Sequence, residues 1–153
     1  MNIKFVLIGL LIIAGLFFFS EKYFQHQMEE KFRQEAKQLK YDDVKAGIAQ
    51  SGLPIEGDLI NQYPNLIVYV RLTTYEKSTI PEAMKELMKK VPCMQLEQLK
   101  NGDPDQTGAI IRVLDKDKIS WTYIMKNKYH KELYQYKQVV AECPDFAQLK
   151  NLS

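Results

Sequence analysis

Histidine occurs only twice in this 153-residue chain, cysteine only twice and tryptophan once. His26 and His130 have no partner at His-x-x-x-His or His-Glu-x-x-His spacing, so no helical metal site is expected and each reads as a surface histidine. Gly-x-Ser-x-Gly, a P-loop and a glycine-rich dinucleotide fingerprint are all missing. The carboxylate pairs Glu29-Glu30 and Asp42-Asp43 are adjacent in sequence. Neighbouring side chains point in different directions, so such pairs make poor acid–base dyads. Charge of one sign is lacking too: the net charge is +2, with lysines and acids interspersed. That pattern does not indicate a nucleic-acid-binding patch, and no nucleic-acid partner is expected. Glycine and proline are scarce, and no repeat or low-complexity tract appears. Neither a cofactor nor a metal is expected, and the chain is not read as an enzyme.

What the chain does have is one long apolar run. Phe5 to Phe19 is uninterrupted, with Lys4 before it and Glu21 and Lys22 after it. Fifteen helical residues cover about 22 Å; adding Met1 to Ile3 and Ser20 approaches the ~30 Å hydrocarbon thickness if Lys4 snorkels. A signal peptidase site needs small residues at alternate positions after the core, and Phe17-Phe18-Phe19 occupies that zone. The reading is therefore an uncleaved signal anchor, a single span over about residues 3–20. A cleaved leader, giving a secreted protein, is the alternative. The amino terminus and Lys4 place the N-terminus in the cytoplasm and the rest outside it. In a bacterium this means the inner membrane with a periplasmic domain.

Three regions follow: the anchor (1–20), a juxtamembrane helical segment (21–50) and a small extracytoplasmic α+β domain (51–153). In the second, Phe24, Met28, Phe32, Ala36 and Leu39 recur at helical spacing. The stripe is expected to pack on its own domain, with a homodimer through residues 24–39 as the sharper alternative. NLIVYVRLTT, residues 65–74, alternates and predicts a strand. A helix is predicted over Thr79 to Val91 with a Thr79/Glu82 capping box and Pro81 in its first turn. Pro92 is expected to break it, and Cys93 to Leu99 to form a further short helix closed by Asn101-Gly102. GDPDQTG carries Asp103 and Asp105 but lacks the remaining ligands of a calcium loop, and reads as a solvated turn. Strands are predicted at Ala109 to Leu114 and Ile119 to Met125. Leu133 to Glu142 is ambiguous between strand and helix; pairing with the Trp121 strand favours strand. The expected fold is thus a transmembrane helix followed by helices on a small, mostly antiparallel sheet, in the order α-β-α-β-β-β.

Cys93 and Cys143 lie fifty residues apart. Export favours a disulfide; two free thiols are the alternative, and a redox pair lacks its Cys-x-x-Cys. From Leu53 to Cys143 the layout resembles a loose group of small exported bacterial domains of uncharacterised function. The matching pieces are Leu53-Pro54, NLIVYVRLTT, Cys93, ISWTYIMKNKYHKELYQYKQVV and Cys143, with GDPDQTGAIIRVLDKDK inserted before the hairpin. The resemblance implies an α+β domain with a structural disulfide and supplies no catalytic residues.

Aromatic residues crowd the predicted hairpin. Trp121, Tyr123, Tyr134 and Tyr136 are candidates for a partner surface, against the plainer expectation that both sheet faces are covered. The function expected is a membrane-anchored interaction domain whose partner is another envelope protein. It would be an accessory part of an envelope complex or an inhibitor of the immunity type. An anchored or secreted small hydrolase with a dispersed active site is the rival.

Overall fold

A computed structural model describes residues 22–42, 54–94 and 96–151. The apolar run of residues 5–19 lies outside the described residues. No helix among them is long and apolar enough to cross a membrane.

The fold is α+β, built on a four-stranded mixed sheet in the order β1-β2-β3-β4. Helix α1 spans residues 22–38. Strands β1 (Ile55–Gln62) and β2 (Asn65–Leu72) form an antiparallel hairpin through Tyr63 and Pro64, joined by a cis peptide bond. Three helices follow: α2 (Glu82–Met94), α3 (Leu96–Leu99) and α4 (Pro104–Asp117). They cross to β3 (Ser120–Lys126), which lies parallel to β2, and β4 (Glu132–Val139) returns antiparallel to β3. A 3₁₀ turn (Val140–Glu142) and helix α5 (Phe146–Lys150) follow.

Several expectations need correction. The order is helix, two strands, three helices, two strands and a short helix, so α-β-α-β-β-β does not hold. β1 was not foreseen: its apolar residues are split between the two faces, and Gly57 and Asp58 sit mid-strand. Residues 109–114 are helix α4, not strand. Asp103 caps that helix, its carboxylate accepting from the Asp105 and Gln106 amides at 3.1 and 3.0 Å. Pro104 occupies the first turn, where a missing N–H costs nothing. Lys118 closes it in the left-handed conformation, φ 53°. Ile111 and Val113 are buried with Ala109 and Leu114, and this burial outweighs their β-branched preference. In α2, Pro92 lies within the last turn instead of ending the helix before it. The start also shifts: the Pro81 carbonyl accepts from Met84 and Lys85 N–H, which puts Pro81 before the first turn and leaves the Thr79/Glu82 box unformed.

Register fixes the faces. Leu66, Val68 and Val70 of β2 stand beside Trp121, Tyr123 and Met125 of β3, and these beside Gln138, Tyr136 and Tyr134 of β4. The helices cover this face in two clusters. One gathers Leu66, Leu96, Ile111, Val113, Ile119, Phe146 and Leu149; the other gathers Val68, Ile80, Met88, Tyr123 and Met125. Each large side chain buried there stabilises by roughly 1.5–3 kcal/mol before entropy is counted. The Cys93–Cys143 disulfide ties the end of α2 to the turn after β4, with Cα atoms 5.6 Å apart. Asn65 Oδ1 accepts from Ser120 and Thr122 hydroxyls, both at 3.0 Å, which staples the parallel pair. The opposite face carries Ile60, Ile67, Tyr69 and Ile124 among charged residues and belongs to neither cluster.

On each sheet edge one outward backbone group is met by a neighbouring side chain. Thr73 N–H bonds to the Pro54 carbonyl, so by antiparallel alternation Leu59 directs its N–H outward. Asp58 accepts that N–H at 2.8 Å. On β4, Val139 directs its carbonyl outward by the same alternation, and Gln138 Nε2 donates to it at 2.8 Å.

Candidate functional site

Among the described residues a concavity lies beneath α1. Glu, Gln, Lys and Arg dominate this segment and favour helix, and its apolar residues fall on one side. One flank of the helix is clamped by charge. Glu29, 6% exposed, accepts from Arg112 Nε at 2.7 Å and Lys116 Nζ at 2.9 Å on α4. Arg33 donates to both carboxylate oxygens of Asp117, at 2.7 and 3.1 Å, and to Glu30 at 2.5 Å. The Tyr63 hydroxyl also donates to Asp117. Asn61 Nδ2 lies 2.8–3.2 Å from the carbonyls of Ala36, Lys37 and Leu39, and its two N–H groups are shared among these acceptors at and just past the C-terminal end of α1.

The clamp sets the electrostatics. Burial pushes the Glu29 carboxyl up, but hydrogen bonds from Lys116 and Arg112 outweigh it and hold the pKa below the usual range. Arg33 holds Asp117 low, and Asp117 in turn raises Arg33. Burial, reinforced by Asp117, pushes the Tyr63 phenol up to about 12.

The other flank of α1 lines open space. An outer groove of about 790 Å³ lies between α1 and the start of α4, with Phe24, Met28, Phe32, Ala109 and Ile110 as its apolar lining and Glu30, Lys31, Glu35, Asp103 and Asp105 among its polar residues. An inner cavity of about 540 Å³ is lined by Phe32, Ala36 and Leu39 of α1 together with Leu66, Leu96, Leu99, Ile119, Trp121 and Val140. The two meet at Phe32, Glu35 and Ile110, which line both. All five residues of the helical stripe therefore line the trough. Phe32 and Leu39 also pack on the first core cluster, which is the packing on its own domain expected of the stripe. Volumes of this order, with an apolar floor and a few polar groups, are those of ligand-binding clefts.

The hairpin aromatics are brought together, but on the helix-covered face. Tyr123 is 9% exposed and its phenol is pushed to about 12 by burial. Trp121 stacks on it at 6.2 Å and lines the inner cavity. Tyr134 packs on the second cluster, and the Tyr136 hydroxyl donates to Gln138 at 2.6 Å. Of the four, Trp121 alone lines the trough. The histidines are apart from it: His26 is exposed on α1, and His130 is exposed in the β3–β4 turn with φ 62°. That turn is organised by buried Asn127, which accepts from Tyr129 and Lys131 N–H at 3.0 Å each. Among the described residues no three His, Cys, Asp or Glu side chains are grouped to hold a metal. The expected solvated turn GDPDQTG is instead, from Pro104 onward, the start of α4 with Thr107 and Gly108 buried; Asp103 and Asp105 line the outer groove together with Ala109 and Ile110. The Asp103-Pro104 capping pair was the signal that could have placed them there.

The class defined by these features is a small disulfide-bonded α+β domain with one helix-covered sheet face and a trough under its first helix. Comparison with protein-family models, with curated proteins and with solved structures finds no match to this chain.

Proposed function

We propose that this protein is a single-pass, membrane-anchored extracytoplasmic binding domain, in a bacterium a periplasmic one. It acts by receiving part of another envelope protein, as an accessory subunit or an immunity-type inhibitor. The trough beneath α1 carries the reading: a concave apolar surface begins at Phe24, five residues beyond the apolar run, and continues to Trp121. The Cys93–Cys143 bond supports an oxidising compartment, since such cross-links persist outside the reducing cytoplasm. The apolar run supports the anchor and its orientation.

The experiment is in-membrane photocrosslinking of the full chain with a photoreactive residue at Met28. A discrete adduct with an envelope protein, from membranes that resist carbonate extraction, is the expected result. A soluble product lacking residues 1–20, or two alkylatable thiols in the exported protein, would overturn it.

A further inference from the structure

We infer that the outer groove takes a basic amphipathic segment of a partner protein, its apolar side on Phe24, Met28 and Ile110 and its lysines or arginines against Glu35 and Asp105. This rests on the trough being a binding site and adds the chemistry of what fills it. The apolar lining makes the groove a site, and the charge at its mouth selects the occupant.

Four carboxylates and one ammonium line the groove: Glu30, Glu35, Asp103 and Asp105 against Lys31. Glu30 is engaged by Arg33, and Asp103 is engaged by the first amides of α4. Glu35 is only loosely paired with Lys31, at 3.9 Å with both side chains more than 60% exposed. Glu35 and Asp105 are thus the acids that a ligand can reach, and the excess of negative charge favours a cationic partner. An anionic lipid headgroup meets repulsion at the same mouth. An acidic helix would leave like charges opposed, which costs more than an exposed pair of opposite charges returns. Phe24, 53% exposed, is an apolar anchor awaiting cover. An amphipathic helix laid into a groove meets it through side chains at i, i+3, i+4 and i+7, which fits the Phe24–Met28 spacing on the receiving helix.

The test uses the full chain in nanodiscs of zwitterionic lipid. Fluorescence anisotropy is read with three labelled model peptides of one apolar pattern: Leu/Lys, Leu/Gln and Leu/Glu. The expected result is Leu/Lys binding more than about ten-fold tighter than Leu/Glu, with a steep salt dependence. E35Q/D105N should weaken Leu/Lys about five-fold and flatten its salt dependence. F24S, at an exposed position, should weaken all three without changing the unfolding midpoint. Equal binding of Leu/Gln and Leu/Lys, both lost in F24S, would overturn the charge selection and leave the trough reading standing. No binding of any peptide, or binding that F24S does not move, would overturn both. Displacement of the uncharged Leu/Gln peptide by phosphatidylglycerol in the disc, or dimerisation of the chain abolished by F24S, would assign the groove to lipid or to a second copy instead; Leu/Gln is the probe because a cationic peptide itself binds an anionic bilayer.

Discussion

Glu29 on α1 and Arg112 on α4 meet at 2.7 Å across 83 residues of sequence, and Lys116 closes on the same carboxylate from one turn further along α4. With Arg33 on Asp117 four residues later, the contact fastens one flank of α1. The other flank is thereby held over the trough. Arg112 and Lys116 stay 30% and 58% exposed, so water covers them when the carboxylate is removed, and what is lost is the charge-assisted hydrogen bonding itself. Glu29→Ala is expected to destabilise by about 1–3 kcal/mol. Urea denaturation of the detergent-solubilised chain measures the loss, and hydrogen exchange should localise it to residues 22–38. Uniform loss of protection over the sheet would show that Glu29 supports the whole domain, not the docking of α1.

The same clamp makes α1 acid-labile. The folded-state pKa values of Glu29 and Asp117 are both lowered. A lowered carboxylate contributes stability that is complete above its unfolded-state pKa and is lost as pH falls through the folded-state value. Docking of α1 should therefore hold from neutral pH to about pH 4 and weaken below it, where carboxylates take up protons. Limited proteolysis within residues 22–38 should accelerate in that range. E29Q/D117N should show the faster cleavage already at neutral pH and little further change on acidification; a double variant that keeps the wild-type pH profile would assign the lability elsewhere.

Helix α4 supplies both the clamp and the groove floor, and its start depends on Asp103. Asp103→Ala removes the acceptor for two amides and should cost about 1 kcal/mol. Asp103→Ser should recover most of it. The comparison separates capping from charge, because serine caps without ionising; equal losses in both variants would mean that the acid matters for its charge.

Local pattern made some of this legible. The alternation of residues 65–74 and 119–125 marked β2 and β3, where one sheet face is buried and the other solvated. The stripe from Phe24 to Leu39 marked the apolar side of α1. Residues 109–114 misled because Ile110, Ile111 and Val113 are β-branched, while the deciding signal was the two-residue pair Asp103-Pro104 just upstream. β1 escaped because Ile60 lies on the uncovered face and its turn, Tyr63-Pro64, has none of the Asn-Gly chemistry of common hairpins. The trough was not legible. It exists only where α1 meets α4, through Glu29, Arg112 and Asp117, and no window of sequence contains both.

The disulfide closes a separation of 50 residues, from the end of α2 to the turn beyond β4. On the chain-entropy account, C93S/C143S should lose roughly 4 kcal/mol by restoring freedom to the unfolded chain. Single serine variants should lose at least as much and add disulfide-linked dimers through the orphan thiol. Denaturation with and without reductant checks the figure. If reductant leaves the wild-type midpoint unchanged while both thiols become alkylatable, the cross-link adds nothing to stability.

The edge of β1 supplies the last test. Asp58 is exposed, carries a negative charge and accepts the outward N–H of Leu59 at 2.8 Å. An unblocked edge strand offers its free amides and carbonyls to another chain. Asp58→Val removes both charge and cap and raises strand propensity, so concentration-dependent self-association should appear in sedimentation velocity. Asp58→Asn keeps an acceptor for Leu59 N–H without the charge. If it remains dispersed like the wild type, capping guards the edge; if it associates like the valine variant, charge does. A valine variant that stays monomeric at high concentration would mean that the edge is guarded by something other than Asp58.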